Sequence, residues 1–240
     1  MISSIGIIGT GKLGAVLKDI LPQIFPEAEI RVASRKGTIR IIDIASSDLI
    51  IPAVPTAVFK DVIQELSQHI SPKSTVMDVC AVKKYPVTCM KQFLPQGVGI
   101  IASHPMFGPG TLRKTNGLLK GLKWVIHPVR DPSDRRSSIV QGVVQCGIEA
   151  IDMTPDAHDR YAASFHFTAH VVAQILKKIE LSPSPINTRS VESLFEFMEM
   201  VQSDSVALLQ EMIRYNPYCK AQFQEIIKAE TEINTLLLQS

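Results

Sequence analysis

The sequence predicts an α/β protein, with a doubly wound, mostly parallel sheet followed by an all-α C-terminal domain. Short apolar runs alternate with segments of helical spacing through the first part of the 240 residues, which is typical of a sheet covered by helices on both faces. Most of these runs are continuously apolar, as strands buried on both faces are. No run with strand character follows Thr154, so we predict two domains, residues 1–153 and 154–240.

Seven runs are predicted as strands because they are short, apolar and bounded by polar or turn-forming residues. Residues 13–21 and 56–70 instead carry apolar side chains at helical spacing and are predicted helices. The predicted strands are Ile5–Ile8, Ile30–Ala33, Leu49–Val54, Thr75–Val79, Gly99–Ser103, Lys123–Ile126 and Ile148–Asp152.

The C-terminal part carries helical spacing only. Thr154-Pro155 is typical of a helix cap followed by a first-turn proline, and Asn216-Pro217 predicts a helix end and a restart. The apolar faces are broad for so small a domain, so we expect a homodimer through these helices; the alternative is that they pack only on the N-terminal domain. The apolar positions are Tyr161, Phe165, Val172, Leu176, Ile179, Val191, Leu194, Phe195, Met198, Phe223, Ile226, Ile227, Ile233 and Leu237.

Composition argues against several classes of protein. The net charge is +2 with scattered basic residues, so we expect no nucleic-acid partner. No apolar run reaches the roughly 18 residues of a membrane span. The four cysteines form no metal-binding spacing, so we expect reduced thiols and no metal. The N-terminus lacks a basic leader region, so we expect a cytoplasmic protein, with a plastid location only if a leader is missing.

A glycine motif, Gly9-Thr10-Gly11-Lys12-Leu13-Gly14, follows the first predicted strand and opens a helix. In this context the spacing is the dinucleotide-binding fingerprint of a Rossmann-type domain. The first glycine permits the tight turn, the second lets the backbone approach a pyrophosphate, and the third allows close helix packing. The alternative is a glycine turn that binds no ligand.

The end of the second strand indicates which dinucleotide binds. An NAD enzyme places a carboxylate about 20 residues after the motif, whereas this chain has Ser34, Arg35 and Lys36 there. A hydroxyl and two cations suit the 2′-phosphate of NADP, so we expect NADP, with NAD as the less favoured cofactor. Alternatively, the two cations are simply solvated.

Several other strand ends carry distinctive residues, and in a parallel sheet these ends converge where ligands bind. They are Val54-Pro55-Thr56, predicted to contact the cofactor, Asp78 to Lys83, and Ser103-His104-Pro105. We expect His104 to lie near the nicotinamide, where it could accept a proton from a substrate hydroxyl as hydride leaves the same carbon. A purely structural histidine is the alternative.

Several long segments, in order along almost the whole chain, resemble the prephenate/arogenate dehydrogenase family, particularly the plant-type arogenate dehydrogenases. The segments are Asp78-Val79-Cys80-Ala81-Val82-Lys83, Ser103-His104-Pro105-Met106-Phe107-Gly108-Pro109, His158-Asp159-Arg160-Tyr161-Ala162-Ala163 with His170, Asn187-Thr188-Arg189, Ser203-Asp204-Ser205 and Tyr215-Asn216.

The resemblance implies oxidative decarboxylation of arogenate or prephenate, giving tyrosine or 4-hydroxyphenylpyruvate. It makes His104 the catalytic histidine and His170 and Arg189 candidates for binding substrate carboxylates. Lys83 is placed with the substrate-binding loop, where it orients that loop or caps a helix. Arg160 is expected to bridge helices rather than bind substrate.

Three departures from the family pattern bear on substrate and rate. Ala81, counted with the substrate-binding residues, replaces a serine whose hydroxyl would bond near the catalytic histidine, so water or Thr56 substitutes or turnover is slow. Gly110 replaces a glutamate. Glu199 falls near the position of an arginine typical of prephenate-specific enzymes, which favours arogenate. The alternatives are a prephenate dehydrogenase, another Rossmann reductase, or a dinucleotide-binding protein without catalysis.

Overall fold

The chain divides into two compact units, Met1–Asp156 and Ala157–Ser240. The computed structural model describes residues 2–202 and 206–238. Within these residues the first unit contains one sheet and its covering helices, and the second contains helices only. The predicted domain boundary at Thr154 lies close to this division.

All seven predicted strands are present, some with shifted ends. They are β1 (Ser4–Ile8), β2 (Glu29–Ala33), β3 (Leu49–Pro52), β4 (Thr75–Met77), β5 (Gly99–Pro105), β6 (Lys123–Arg130) and β7 (Glu149–Ile151). The helices between them are α1 (Lys12–Ile24), a 3-10 turn (Ile41–Ile44), α2 (Thr56–Ser67), α3 (Lys84–Phe93), α4 (Pro109–Lys114) and α5 (Arg135–Gln145).

The sheet has the strand order β2-β1-β3-β4-β5-β6-β7. The first five of these strands run parallel, β6 pairs antiparallel with β5, and β7 runs parallel to β6. The predicted mostly parallel, doubly wound fold is therefore confirmed. The carboxyl ends of β1, β3, β4 and β5 consequently meet at one edge of the sheet.

Successive side chains of the strands enter two different cores. Ile51 packs with Leu17 of α1 on one face, while Ile50 packs with Phe59 of α2 on the other, and these four side chains are buried. Helices α1 and α5 thus cover one face, and α2 and α3 cover the other. Burial on both faces explains why the strands are continuously apolar in sequence.

The helices that follow β7 begin at Pro155 and restart after Asn216-Pro217, as predicted. They are α6 (Pro155–Tyr161), a π-helical segment (Ala162–Phe167), α7 (Thr168–Lys178), α8 (Arg189–Gln202), α9 (Val206–Tyr215) and α10 (Cys219–Leu238). Across residues 2–202 and 206–238, no helix is both long and apolar enough to cross a bilayer.

The core of the second unit is small and uses a different face from the predicted apolar stripe, which consists of Tyr161, Phe165, Val172, Leu176 and Ile179. Its buried members are Ala163, Phe167, Val171, Met212 and Cys219. Four residues of the predicted stripe are instead exposed, namely Tyr161, Phe165, Val172 and Ile179. The π-helical segment alters the helical register in the middle of that stripe, so spacing counted at 3.6 residues per turn does not follow one face.

Candidate functional site

The glycine loop between β1 and α1 is built by two glycines and left open by the third. Gly9 has φ of 116°, and a Cβ atom there would overlap the carbonyl oxygen of Ala53. A Cβ atom on Gly14 would overlap the carbonyl oxygen of Gly9. A Cβ atom on Gly11 would meet no heavy atom within 4 Å, so the backbone at Gly11 faces open space.

The open space lies at the start of α1, where backbone N–H groups have no helical acceptor. Gly11 caps the helix without a side-chain hydrogen bond, and the first turn carries no acidic residue. Thr10 and Lys12 are exposed, whereas Leu13 packs partly on the core. These features fit the diphosphate of a dinucleotide, because the amides and the helix dipole attract an anion that a larger residue at Gly11 would exclude.

The turn after β2 carries the two predicted cations beside the glycine loop. The amide of Gly9 donates to the carbonyl of Ala33 at 2.9 Å, which ties the loop to the end of β2. Ser34 is partly buried and its carbonyl accepts from Gly37 at 3.2 Å, while Arg35 and Lys36 are exposed. The turn therefore presents positive charge and a hydroxyl near the loop.

The segment after β3 forms the neighbouring wall of the loop. The amide of Ala53 donates to the carbonyl of Ile8 at 2.8 Å, and Val54 lies beside Gly9. Pro55 is exposed and precedes α2, whose first residue, Thr56, is only 4% exposed. The backbone and Val54 of this predicted cofactor segment therefore lie at the glycine loop.

A buried ion pair lies at the end of β4. The ammonium of Lys83 binds Asp78 Oδ1 and also donates to the carbonyl of Ser103. The side chains of Lys83 and Asp78 are 1% and 0% exposed. Complete burial raises the pKa of the Asp78 carboxyl, against the opposing effects of Lys83 and of the amides of Cys80 and Ser103. Lys83 was predicted to help bind substrate, but its ammonium group is bonded to Asp78 and Ser103 within the protein.

His104 lies at the carboxyl end of β5, within the strand rather than after it as predicted. It is partly exposed and pairs with Val125 of β6. The next strand position pairs Pro105 with Trp124, whose buried ring meets Phe107 edge-on at 5.9 Å between centroids. The strand and the aromatic pair hold the backbone of His104 firmly, while its side chain keeps access to solvent.

Two departures from the family pattern lie near this edge. Ala81, partly exposed, is in the loop between β4 and α3 and places a methyl group where the family has a hydroxyl. Gly110, also partly exposed, lies in α4. Neither position supplies a polar side chain, so the polar groups of this edge come from other residues.

In the second unit, a buried polar cluster joins α6 to the turn between α9 and α10. His158 Nδ1 lies 2.9 Å from Asp159 Oδ1, and Asn216 donates to the carbonyl of Asp159 at 2.8 Å. The Arg160 guanidinium lies 4.4 Å from the ring centroid of Tyr218. This contact fits the helix-bridging role expected for Arg160.

The predicted carboxylate-binding residues also lie in the second unit. His170 is partly exposed on α7, and Arg189 is exposed as the first residue of α8. Ser203-Asp204-Ser205, part of the resemblance, lies outside the described residues.

His166 is a candidate that the sequence analysis missed. It lies in the π-helical segment, eight residues after His158 and four before His170, and this grouping of three histidines in the sequence could have revealed it. Desolvation by nearby protein atoms, followed by the charges of His158 and His170, lowers the pKa of His166, although part of its side chain is exposed. In the described part of the chain, no group of three His, Cys, Asp or Glu residues is arranged to hold a metal ion.

Comparison with known families gives two matches. Residues 16–147, more than half of the chain, match the nucleotide-binding domain of prephenate dehydrogenase. Residues 175–240 match the C-terminal domain of the TYRAAT1-like family.

The chain is also similar to proteins named arogenate or prephenate dehydrogenases. The chain is 31% identical over 154 residues to arogenate dehydrogenase 1, chloroplastic, of Arabidopsis thaliana, covering 62% of this chain and 24% of that protein. It is 25% identical over 187 residues to a probable arogenate/prephenate dehydrogenase of Methanocaldococcus jannaschii, covering 74% and 38%. The chain thus spans less than half the length of these relatives.

Solved structures show the same fold. Prephenate dehydrogenase from A. aeolicus, in complex with hydroxyphenyl propionate and NAD+, has a TM-score of 0.75 at 17% identity, covering 100% of this chain and 92% of that one. Synechocystis arogenate dehydrogenase has a TM-score of 0.65 at 19% identity, covering 98% and 92%. With the match over residues 16–147, the chain belongs to the prephenate/arogenate dehydrogenase family.

Proposed function

We propose that the protein catalyses the oxidative decarboxylation of arogenate to tyrosine, with hydride transfer to NADP. The observation that carries this proposal is the shared edge of the sheet. The open glycine loop follows β1 and His104 is the last residue but one of β5, and the carboxyl ends of both parallel strands lie at that edge. Edges of this kind bind dinucleotides and their substrates.

The glycine loop and α1 would hold the dinucleotide, whose nicotinamide supplies the hydride acceptor. The His104 imidazole accepts the proton of the substrate's C4 hydroxyl as the C4 hydrogen leaves with its electron pair. The ring carboxylate departs as CO2, its electron pair completes the aromatic ring, and the proton returns to the oxygen. Since aromatisation drives the reaction, the residues mainly orient the substrate and manage this proton.

The preference for NADP rests on the turn after β2. Arg35 and Lys36 are exposed there, and the turn of Ser34 to Gly37 contains no carboxylate to repel a 2′-phosphate. A forked guanidinium binds phosphate oxygens strongly. NAD, which lacks this phosphate, would gain nothing from these contacts.

The preference for arogenate rests on sequence. Two plant relatives, 31% and 29% identical, are named arogenate dehydrogenases. Glu199 lies near the position of the arginine typical of prephenate-specific enzymes. We assign His170 and Arg189 to the binding of substrate carboxylates on the resemblance of their segments.

A homodimer through the C-terminal helices is part of the proposal. Residues of α10 such as Ile233 and Leu236 are 57% and 71% exposed, and Phe165 is 67% exposed. An apolar surface of this kind is usually covered by a partner, and a second copy covers it symmetrically. Sedimentation of the wild type and of Ile233→Lys tests this: a dimer that the substitution dissociates supports it, and a wild-type monomer contradicts it.

A cytoplasmic location stays a prediction, which cell fractionation would test.

Steady-state assays of the purified protein with four combinations of substrate and cofactor test the proposed activity. We expect the largest kcat/KM with arogenate and NADP. A higher value with prephenate would make the protein a prephenate dehydrogenase. NADPH binding without turnover of either substrate would make it a dinucleotide-binding protein without catalysis.

A further inference from the structure

The strand that carries His104 continues beyond the end of the strand beside it. β4 ends at Met77, which pairs with Ile101, whereas β5 continues to Pro105. On its other side β5 remains paired with β6 as far as Pro105. The last residues of β5 therefore need partners other than β4 for their backbone groups on that side.

Side chains from the segment after β4 take the place of the missing strand. Asp78 Oδ2 accepts from the amide of Ser103 at 3.3 Å, and the Lys83 ammonium donates to the carbonyl of the same residue. Lys83 is itself held by Asp78 Oδ1. Both backbone groups of the residue before His104 are thus fixed by one ion pair.

The Ser103 side chain adds two further bonds to this network. Its hydroxyl donates to the carbonyl of Asp78 at 2.6 Å and accepts from Trp124 Nε1 at 3.2 Å. Ser103 is fully buried, as are Asp78 and Trp124 within 1%. Groups from the segment after β4 and from β6 therefore both bind the β5 residue that precedes the candidate catalytic histidine.

The burial of the ion pair indicates that its role is geometric. Removing two charges from water is costly, and a well-packed apolar pair of similar volume is often as stable or more stable. An apolar pair could not bind the amide and carbonyl of Ser103. What the charges add here is a defined position for the end of β5.

We propose that Asp78 and Lys83 are positioning residues that fix the His104 imidazole by binding the backbone of Ser103. The inference rests on the proposed function, in which His104 accepts the substrate's proton. Misplacing a proton acceptor slows the chemical step more than it weakens binding. The expected signature is therefore a loss in kcat with little change in KM or in the Kd for NADPH.

The test compares Asp78→Asn/Lys83→Met with a matched control, Asp48→Asn/Arg135→Met. The control removes an ion pair, 2.7 Å between Arg135 and Asp48, at the opposite, amino edge of the same sheet. The measurements are kcat, KM, Kd for NADPH, and the NMR resonances of the His104 amide and of the indole of Trp124, the single tryptophan. We expect kcat to fall at least tenfold and both resonances to move in the first variant only.

A milder variant covers the case in which the double substitution prevents folding. Ser103→Ala removes the hydroxyl bonds and leaves the ion pair, so we expect a smaller loss of kcat and a shifted indole resonance. A folded Asp78→Asn/Lys83→Met variant with wild-type kcat and an unmoved His104 amide resonance overturns the proposal. If wild-type protein turns over neither substrate, the proposed function fails, and the resonances alone decide whether the ion pair positions His104.

Discussion

Gly14 packs against the carbonyl oxygen of Gly9 so closely that a Cβ atom on Gly14 would overlap it. This contact brings the first turn of α1 onto the end of β1 and sets the shape of the glycine loop. The same loop leaves open space beside Gly11. Gly14 therefore acts in folding, whereas Gly11 leaves room for a ligand to approach.

Gly11→Ala should weaken dinucleotide binding at least tenfold, because its methyl group would occupy the space where the diphosphate approaches. Its cost to stability should stay within about 1 kcal/mol, as for an alanine at a helix cap. Gly14→Ala should instead destabilise the fold by about 1–3 kcal/mol or more, because a backbone oxygen must move. Titration with NADPH measures the affinity of both variants, and urea unfolding measures their stability. If Gly11→Ala and Gly14→Ala lost the same affinity and were equally stable, the separate roles of the two glycines would be contradicted.

Arg35→Asp should raise the Kd for NADP by at least tenfold while changing the Kd for NAD less than threefold. The substitution replaces a partner of the 2′-phosphate with a like charge. Lys73→Asp makes the same charge change at an exposed residue before β4, at the amino edge, and should leave both constants unchanged. An equal rise in the Kd for NADP and for NAD in Arg35→Asp would show that Arg35 does not bind the 2′-phosphate.

The strands were predictable because most of them are short, continuously apolar runs. Direction is not encoded in such runs, so the antiparallel placement of β6 could not be derived. The sequence also did not indicate that β5 extends beyond Ser103 to include His104. Its partners on one side are the side chains of Asp78 and Lys83, about 20 or more residues earlier, and no local pattern links them.

The glycine motif and its neighbours were readable because each residue's role depends on local backbone. The role of Lys83 was not, since a lysine in a loop is ordinarily solvated, and the backbone carbonyl that it binds belongs to Ser103, 20 residues further along the chain. Which face of the helices after Thr154 forms the core of the second unit was also not predictable. A π-helical segment at Ala162–Phe167 changes which side chains align, and its presence left no signal in the apolar spacing.

Asp48→Asn should reduce stability at neutral pH by about 1–3 kcal/mol, the scale of lost hydrogen bonds to a charged group. Partial burial would raise the pKa of Asp48, but bonds from Ser3 and Ser4 and the charge of Arg135 outweigh it and lower the pKa to about 2. The contribution of the carboxylate is therefore present above about pH 4 and is lost as the pH falls towards 2.

Urea unfolding at pH 7 and at pH 3 checks this expectation. The difference in stability between wild type and Asp48→Asn should be smaller at the lower pH. Asp61→Asn, at an exposed position of α2, serves as control and should change neither value. An equal deficit for Asp48→Asn at both pH values would show that ionisation of this carboxyl does not stabilise the fold.

Ala81→Ser should raise kcat severalfold without changing the Kd for NADPH. The substitution restores the hydroxyl of the family pattern at a partly exposed position, where it can bond to the substrate oxygen that His104 deprotonates. Ala57→Ser, at an exposed position in α2, is the matched control and should leave kcat as it is. A fall in kcat for Ala81→Ser would mean that this chain's site is built around the methyl group.

The role of His104 is tested most directly by the turnover of His104→Ala with arogenate and NADP. We predict a fall in kcat of about 10²–10⁴, the typical contribution of a positioned proton acceptor, with the Kd for NADPH within twofold of wild type. A His104→Ala variant that reduces NADP at the wild-type rate would contradict the account, because the imidazole would then take no part in the chemistry.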